Sequence, residues 1–227
     1  MKQTMFARLH RQLYRRPVWC MSSFLLLHTV LFQLLERLPR QVHLLHCPAD
    51  DWLPFYSGAI WPYLGWFLWV PGMLFWLLRR DKAHFCRCFG VLALGDALTL
   101  VLYAVWPTGL ALRGQVAGSG LSSELVRLLY RLDSPANVCP SLHIFITFVL
   151  WLALWDVLKI PGRCLHTLLA LAICLSTVLL DQHSIIDVLA ALLLGAVLWQ
   201  GSARPRPGVG RLRLVHNAAA WGLTLYK

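Results

Sequence analysis

Long apolar runs alternate with short polar segments along most of the chain. A transmembrane helix needs roughly 20 predominantly apolar residues to cross about 30 Å of hydrocarbon. Runs that approach this length are Pro17–Leu35, Gly58–Leu78, Phe89–Trp106, Leu142–Leu158, Leu165–Leu180 and Ile185–Gln200. The pattern predicts an all-α integral membrane protein, a six-transmembrane-helix bundle that forms a single membrane domain. Because no small-residue cleavage site follows the first run, we interpret that run as a retained signal anchor.

The polar segments between the runs are short, with one exception at residues 107–140, which we predict to be an outer loop. A loop of this length is usually functional or contains short helices of its own. Within it, Ser122–Leu132 has helical spacing, and Ser122 or Ser123 is a suitable N-cap. We expect this segment to form a helix along the outer membrane surface.

Composition supports a membrane protein, because 58% of the residues are hydrophobic and only 14% are charged. This excludes an ordinary soluble globular domain. The net charge of +11 then reads as a topology signal, since cytoplasmic segments retain Lys and Arg. The N-terminal segment, the second and fourth connections and the tail at residues 201–227 hold 16 of the 21 basic residues. We therefore predict cytoplasmic N and C termini, a basic cytoplasmic tail and no nucleic-acid partner.

Candidate chemistry lies in two polar clusters at the predicted outer ends of the last three helices. Asp187 follows His183 by four residues, so a helix starting near residue 183 would bring the two side chains together. A carboxylate can fix the imidazole tautomer and leave Nε2 free to attack. The alternative is a purely structural role, in which the histidine and the aspartate satisfy each other's hydrogen bonds at a helix end. The other cluster contains Ser141, whose hydroxyl and the following N–H groups would form an anion site at a helix start. Metal ligation lacks further ligands, and we predict no metal and no cofactor.

The clusters together resemble motifs of the type-2 phosphatidic acid phosphatase superfamily. Pro-Ser-Leu-His at residues 140–143 is similar to its PSGH motif, and the spacing of Ser176, His183 and Asp187 matches its SRx5Hx3D motif. The segments at residues 103–108 and 130–143 resemble the branch containing inositol phosphorylceramide synthases and their bacterial relatives. The resemblance extends from about Tyr103 to Gly195 and fits six helices with outward-facing motifs.

The resemblance implies roles for three residues. His183 would attack phosphorus, Asp187 would orient it, and His143 would protonate the leaving oxygen. Phosphoryl transfer also needs cationic or N–H donors for the equatorial oxygens.

The expected phosphate-binding residues are Ser141, Arg113, Arg131, Ser176 and Thr177. The chain departs from the family pattern, because Thr177 stands where an arginine is usual and no first-motif lysine is recognisable. Asp181 replaces a basic residue often found two places before the histidine. For the arginines, snorkelling at the interface is the alternative to a role in the site.

We therefore expect a membrane lipid phosphatase or phosphotransferase that acts at the non-cytoplasmic face through a phosphohistidine intermediate. Its substrate would be a lipid phosphate or a polyprenyl phosphate, in a bacterial inner membrane rather than a eukaryotic endomembrane. The alternatives are a head-group transferase of the inositol phosphorylceramide synthase type and a non-catalytic lipid-binding pseudoenzyme. The oligomeric state is left open. Asp96, within the third run, is expected to pair with a neighbouring helix or to line a polar pocket.

Overall fold

The computed structural model describes residues 12–38 and 40–202, and the protein is mostly helical, at 73%. The basic residues Lys2, Arg8 and Arg11 and the tail from residue 203 onward lie outside the described residues. The helices are α1 Pro17–Arg37, α2 Ile60–Arg80, α3 Lys82–Val105, α4 Leu121–Leu132, α5 Leu142–Trp155, α6 Ile160–Leu179 and α7 Ile185–Gly201. The described residues also include the strands β1 His43–Leu44 and β2 Thr108–Gly109, the short 3-10 helices Asp50–Trp52 and Ser57–Ala59, and a helical turn at residues 12–15.

Among the described residues, four helices are long and apolar enough to cross a membrane: α1, the segment Ser57–Arg80 that contains α2, α3 and α6. The apolar helices α5 and α7 are shorter, with 14 and 17 residues. At about 1.5 Å per residue, α5 spans only about 21 Å. Length and composition thus establish four candidate spans, two fewer than the apolar pattern predicts.

Helix boundaries differ from the apolar runs where polar residues cap the helices. α3 begins at Lys82, seven residues before the predicted start, because the Asp81 side chain accepts the His84 N–H at 2.9 Å. α5 ends at Trp155 instead of Leu158, with Asp156 at its C-cap. The predicted loop helix is confirmed as α4. The predicted Ser122 or Ser123 cap is wrong: Gly120 is the N-cap, and the Ser123 hydroxyl donates to the Ala117 carbonyl at 3.0 Å.

The bundle is organised around α5, which packs against α2, α3, α6 and α7. Gly95 in α3 allows the closest approach, since a Cβ there would overlap the Phe145 ring. α1 has no buried residues and contacts α3, where His28 Nδ1 lies 2.7 Å from Asp96 Oδ1. The prediction that Asp96 pairs with a neighbouring helix is confirmed.

The C-terminal end of α3 and the N-terminal ends of α5 and α7 lie together at one end of the bundle. The Tyr103 hydroxyl donates to the Pro140 carbonyl at 2.7 Å, and the Ser141 N–H donates to the Asp187 carbonyl at 3.3 Å. The parallel pairing of β1 with β2 ties the α1–α2 connection to the chain after α3. This end therefore contains both polar clusters singled out in the sequence.

Residues near both ends of the described range lie at the opposite end of the bundle. The Lys82 ammonium lies 4.8 Å from the centroid of the Tyr14 ring, and Arg87 Nε donates to the Ser202 hydroxyl at 3.0 Å. Both contacts involve the start of α3, so the first and last described residues lie at the end of the bundle away from the two polar clusters.

Candidate functional site

The imidazole of His183 is held by the first turn of α7. Asp187 Oδ2 lies 3.3 Å from His183 Nδ1 and accepts the Ser184 N–H at 2.9 Å. Ser184 and Asp187 form a reciprocal capping box, in which the Ser184 hydroxyl caps the helix and the Asp187 carboxylate turns back to the cap. His183 is 8% exposed and Asp187 is fully buried. This arrangement orients the ring through Nδ1 and leaves Nε2 available.

The imidazole of His143 lies between the helix start of α5 and a wall of aromatic rings from α2. Its ring centroid is 4.7 Å from that of Tyr63, 4.4 Å from Trp66 and 5.9 Å from Phe67. The Trp66 indole N–H is itself fixed by the Thr147 hydroxyl at 3.0 Å. These contacts restrict the ring and exclude water from one of its faces.

The structure brings the two histidines together. Their ring centroids are 6.2 Å apart, and His143 Nε2 is buried with no hydrogen-bond partner among the described residues. A buried polar atom without a partner is costly, and such atoms concentrate at functional sites. The two imidazoles are therefore close neighbours at this end of the bundle.

The N-terminus of α5 lies beside His143 and provides hydrogen-bond donors. The Ser141 hydroxyl accepts the Ile144 N–H at 3.3 Å and so closes the first turn. The Leu142 and His143 N–H groups make no hydrogen bond to any described residue. Free N–H groups at the positive end of a helix dipole bind anions.

Arg113 contacts the residue next to His183, and its guanidinium is held from several sides. Its Nη2 donates to Gln182 Oε1 at 2.6 Å, its Nη1 donates to the Asp133 carbonyl at 2.5 Å, and its plane lies over the Tyr130 ring at 4.7 Å. Arg113 Nε and Gln182 Nε2 are buried without a partner in the part of the chain that the structure describes. Since Gln182 adjoins His183, these contacts connect Arg113 to the histidine pair.

The other predicted phosphate ligands differ in position. The hydroxyls of Ser176 and Thr177 are buried in α6 and donate to carbonyls three residues earlier, at 2.6 Å and 2.8 Å. The Thr177 carbonyl also accepts the N–H groups of Gln182 and His183, so it supports the loop that carries the nucleophile candidate. Arg131 is exposed on α4 and donates to the Arg127 carbonyl at 3.3 Å. Phosphate binding by these three residues stays a prediction.

Two carboxylates lie near Arg113 at this end of the bundle. Asp133 and Asp181 are half-buried and near Arg113. Partial burial raises the pKa of the Asp133 carboxyl despite the opposing effect of Arg113, and it raises the pKa of Asp181 to about 6. Asp181 has a left-handed backbone, with φ of 50°, a conformation that Asp and Asn tolerate better than most residues. An anionic ligand is therefore repelled less below pH 6 than above it.

Asp50 is a site residue that the sequence reasoning did not identify. It begins the short 3-10 helix Asp50–Trp52 in the α1–α2 connection and is 7% exposed. Its Oδ2 accepts the Ser184 hydroxyl at 2.6 Å, and its Oδ1 accepts the Ile185 N–H at 2.9 Å. Its position in an irregular loop, 134 residues before Ser184, left no periodic signal that could have revealed the contact.

An apolar cavity of about 540 Å³ lies among α5, α6 and α7. Its lining includes Ile144 and Ile185, which follow His143 and Ser184, and it continues along the helices past Phe148, Val188 and Leu192. The cavity has the volume of a small-molecule site. The cavity reaches the starts of α5 and α7, although neither His143 nor His183 lines it.

In the described ranges, His, Cys, Asp and Glu side chains form no cluster of three or more that could hold a metal ion. Comparisons of the chain with protein-family models, with curated proteins and with solved structures found no match.

Proposed function

We propose that the chain is a membrane lipid phosphatase or phosphotransferase of the type-2 phosphatidic acid phosphatase superfamily. The observation that carries the proposal is the pairing of His183, oriented by Asp187, with a second histidine whose ring centroid is 6.2 Å away. A nucleophile with an orienting carboxylate and a nearby acid are the groups that covalent phosphoryl transfer needs.

In the proposed first step, His183 Nε2 attacks phosphorus and the bond from phosphorus to the ester oxygen breaks. His143, in its protonated form, donates its proton to the departing oxygen, and Asp187 stabilises the charge that develops on His183. In the second step, neutral His143 accepts a proton from water or an acceptor alcohol as that oxygen attacks the phosphohistidine. The bond from phosphorus to nitrogen then breaks, and both histidines return to their starting states.

The equatorial oxygens of the transferring group require donors. The free N–H groups of Leu142 and His143 are suited to this task because they lie at the start of α5 beside the proposed acid. Arg113 adds positive charge close to Gln182 and His183. The N-terminus of α7 is less suitable, since Asp50, Asp187 and the Ser184 hydroxyl already accept its first N–H groups.

A lipid substrate is supported by the apolar cavity and by the composition of the helices. The cavity among α5, α6 and α7 would hold a hydrocarbon chain while the phosphate lies between the histidines. We propose that α5 and α7 cross the membrane together with the four longer helices, giving six spans. Their short length would put the histidines at the depth of the lipid head groups, with modest bilayer thinning.

The proposed orientation places the histidines at the non-cytoplasmic face. The charge distribution supports it, because 16 of the 21 basic residues belong to segments predicted on the opposite side. Cysteine labelling tests this orientation: Trp52→Cys, in a chain whose seven native cysteines are replaced by alanine, should react with an impermeant reagent from outside the cell, because residue 52 is 83% exposed near the site. Labelling only after the membrane is opened would contradict it.

Transfer of a head group to an alcohol is the second candidate, and the acidic surroundings favour it. Asp133 and Asp181 near Arg113 repel free phosphate but can accept hydrogen bonds from acceptor hydroxyls. Hydrolysis and transfer differ only in which oxygen discharges the phosphohistidine. Adding polyols to the assay separates the two, because a transferase forms a new phosphodiester or phosphomonoester at the expense of free phosphate.

The direct test measures phosphate release and head-group transfer by the purified protein in lipid nanodiscs containing phosphatidic acid or a polyprenyl phosphate. We expect His183→Ala and His143→Ala to abolish activity. His43→Ala is the matched control, since His43 is exposed in β1 outside the histidine pair, and it should retain activity. Full activity in both site variants would overturn the proposal, and lipid binding without turnover by the unaltered protein would favour the pseudoenzyme.

A further inference from the structure

Asp50 is a buried carboxylate with three donors and no cation among its described hydrogen-bond partners. Besides the Ser184 hydroxyl and the Ile185 N–H, it accepts the Cys47 N–H at 2.8 Å. A buried carboxylate is stable when several donors satisfy its oxygens and when it lies at the positive end of a helix dipole. The start of α7 meets both conditions.

The Ser184 hydroxyl connects Asp50 to the proposed nucleophile. Since this hydroxyl donates its hydrogen to Asp50, its lone pairs are directed to the Ile186 N–H, which it accepts at 3.2 Å. The Ser184 N–H donates to Asp187 Oδ2, the same oxygen that lies against His183 Nδ1. The orientation of Ser184 therefore sets the position of the carboxylate that orients His183.

We propose that Asp50 is a positioning residue for His183, acting through Ser184 and the first turn of α7. The inference rests on the proposed function for its kinetic consequences, but the position of His183 is measurable without catalysis. Asp50 also occupies the anion site at the start of α7, so the substrate phosphate is directed to the start of α5. Removing Asp50 loosens the first turn of α7 and the Asp187 contact with it.

Two variants each alter one partner of the hydrogen bond between the Ser184 hydroxyl and Asp50. Asp50→Asn keeps the size of the side chain but loses one acceptor oxygen, and Ser184→Ala removes the hydroxyl. Displacing a catalytic group by a fraction of an ångström to an ångström costs up to about 100-fold in rate. We expect kcat to fall about 10- to 100-fold in each variant with KM changed less than about threefold, and the double variant to lose no more than the worse single variant.

Asp51→Asn is the matched control, because Asp51 is the neighbouring aspartate, is exposed and contacts His46 instead of α7. We expect its kcat to equal that of the unaltered protein. Equal kcat in Asp50→Asn and Asp51→Asn, or strictly additive losses for Asp50→Asn and Ser184→Ala, would overturn the positioning role. A Tm for each variant separates loss of fold from loss of position.

A second readout does not depend on turnover. Carbethoxylation of His183 by diethyl pyrocarbonate, followed by mass spectrometry and normalised to the exposed His43, reports how accessible the imidazole is. We expect at least a threefold faster reaction at His183 in Asp50→Asn and no change in Asp51→Asn. If no lipid phosphate is turned over by the unaltered protein, the proposed function fails while this measurement still decides the role of Asp50. An unchanged rate at His183 would refute it.

Discussion

Asp187→Asn tests the orientation of His183 with the smallest possible change in shape. The side chain keeps its volume, and one oxygen can still accept the Ser184 N–H. If that bond is retained, the amide nitrogen takes the place of Oδ1, and the remaining oxygen accepts both donors as Oδ2 does in the native protein, but without the negative charge of the carboxylate. If the amide turns over, its N–H group faces His183 Nδ1. Nδ1 then becomes an acceptor, and the proton moves to Nε2, the atom that should attack.

The expected loss of rate follows from these two outcomes. A hydrogen bond to a charged group contributes about 1.5–3 kcal/mol, which corresponds to about 10- to 150-fold in rate. The wrong tautomer costs more, about 10⁴-fold in the well-studied serine protease triad. Depending on which orientation of the amide predominates, we expect kcat to fall between about 10- and 10⁴-fold. The fold should change little, since the capping bond to the Ser184 N–H can be kept.

The assay is the initial rate of phosphate release in nanodiscs, with Tm measured on the same samples. Asp156→Asn is the control, because Asp156 is exposed at the C-cap of α5, at the other end of the bundle. It should retain full activity. A kcat for Asp187→Asn within threefold of the unaltered protein would refute the orienting role of Asp187, and a large drop in Tm would show that its role is mainly structural.

Three further predictions follow from packing and charge. Gly95→Ala should destabilise the bundle by about 1–3 kcal/mol, because its Cβ would overlap the Phe145 ring. Gly90→Ala in the same helix has open space around the new Cβ and should be neutral or stabilising. Thermal unfolding in detergent compares the stabilities of the two variants. KM for a lipid phosphate should fall as the pH is lowered through about 6, because the Asp181 carboxyl is then protonated, and Asp181→Asn should have a low KM on both sides of pH 6. If KM of that variant rises with pH as steeply as in the unaltered protein, Asp181 is not the cause. Arg113→Lys should raise KM about tenfold or more, since an ammonium cannot reproduce the guanidinium's simultaneous contacts; an unchanged KM would remove Arg113 from the site.

The apolar pattern predicted the helices well because burial in lipid requires long continuous runs. It predicted their ends less well, since a helix continues past an apolar run when a polar residue caps it, as Asp81 does for α3. The interaction of His183 with Asp187 was predicted for a helix that starts near residue 183. The contact exists, but α7 starts at Ile185, and the carboxylate reaches His183 by turning back to the cap. The four-residue spacing correctly predicted the contact between His183 and Asp187, but the contact results from the capping geometry at the start of α7.

Contacts between distant segments could not be predicted from the sequence. The stacking of Tyr63 and Trp66 on His143 depends on which face of α2 meets α5, and α2 is apolar on most of its circumference. Arg113 was predicted as a phosphate ligand from its position after a motif, yet its contact with Gln182 depends on how the 107–140 segment folds. Irregular segments have no periodicity, so only the folded chain shows what they contact.

The most direct test of the account is capture of the covalent intermediate. The purified protein is mixed with a ³²P-labelled lipid phosphate, quenched within milliseconds to seconds in alkali, which preserves phosphohistidine, and digested for mass spectrometry. We predict a phosphorylated peptide containing His183, which is absent from His183→Ala and which accumulates in His143→Ala if a reactive leaving group is used. Turnover of the lipid with no label on His183 at any time, or label on His143 instead, would contradict the account.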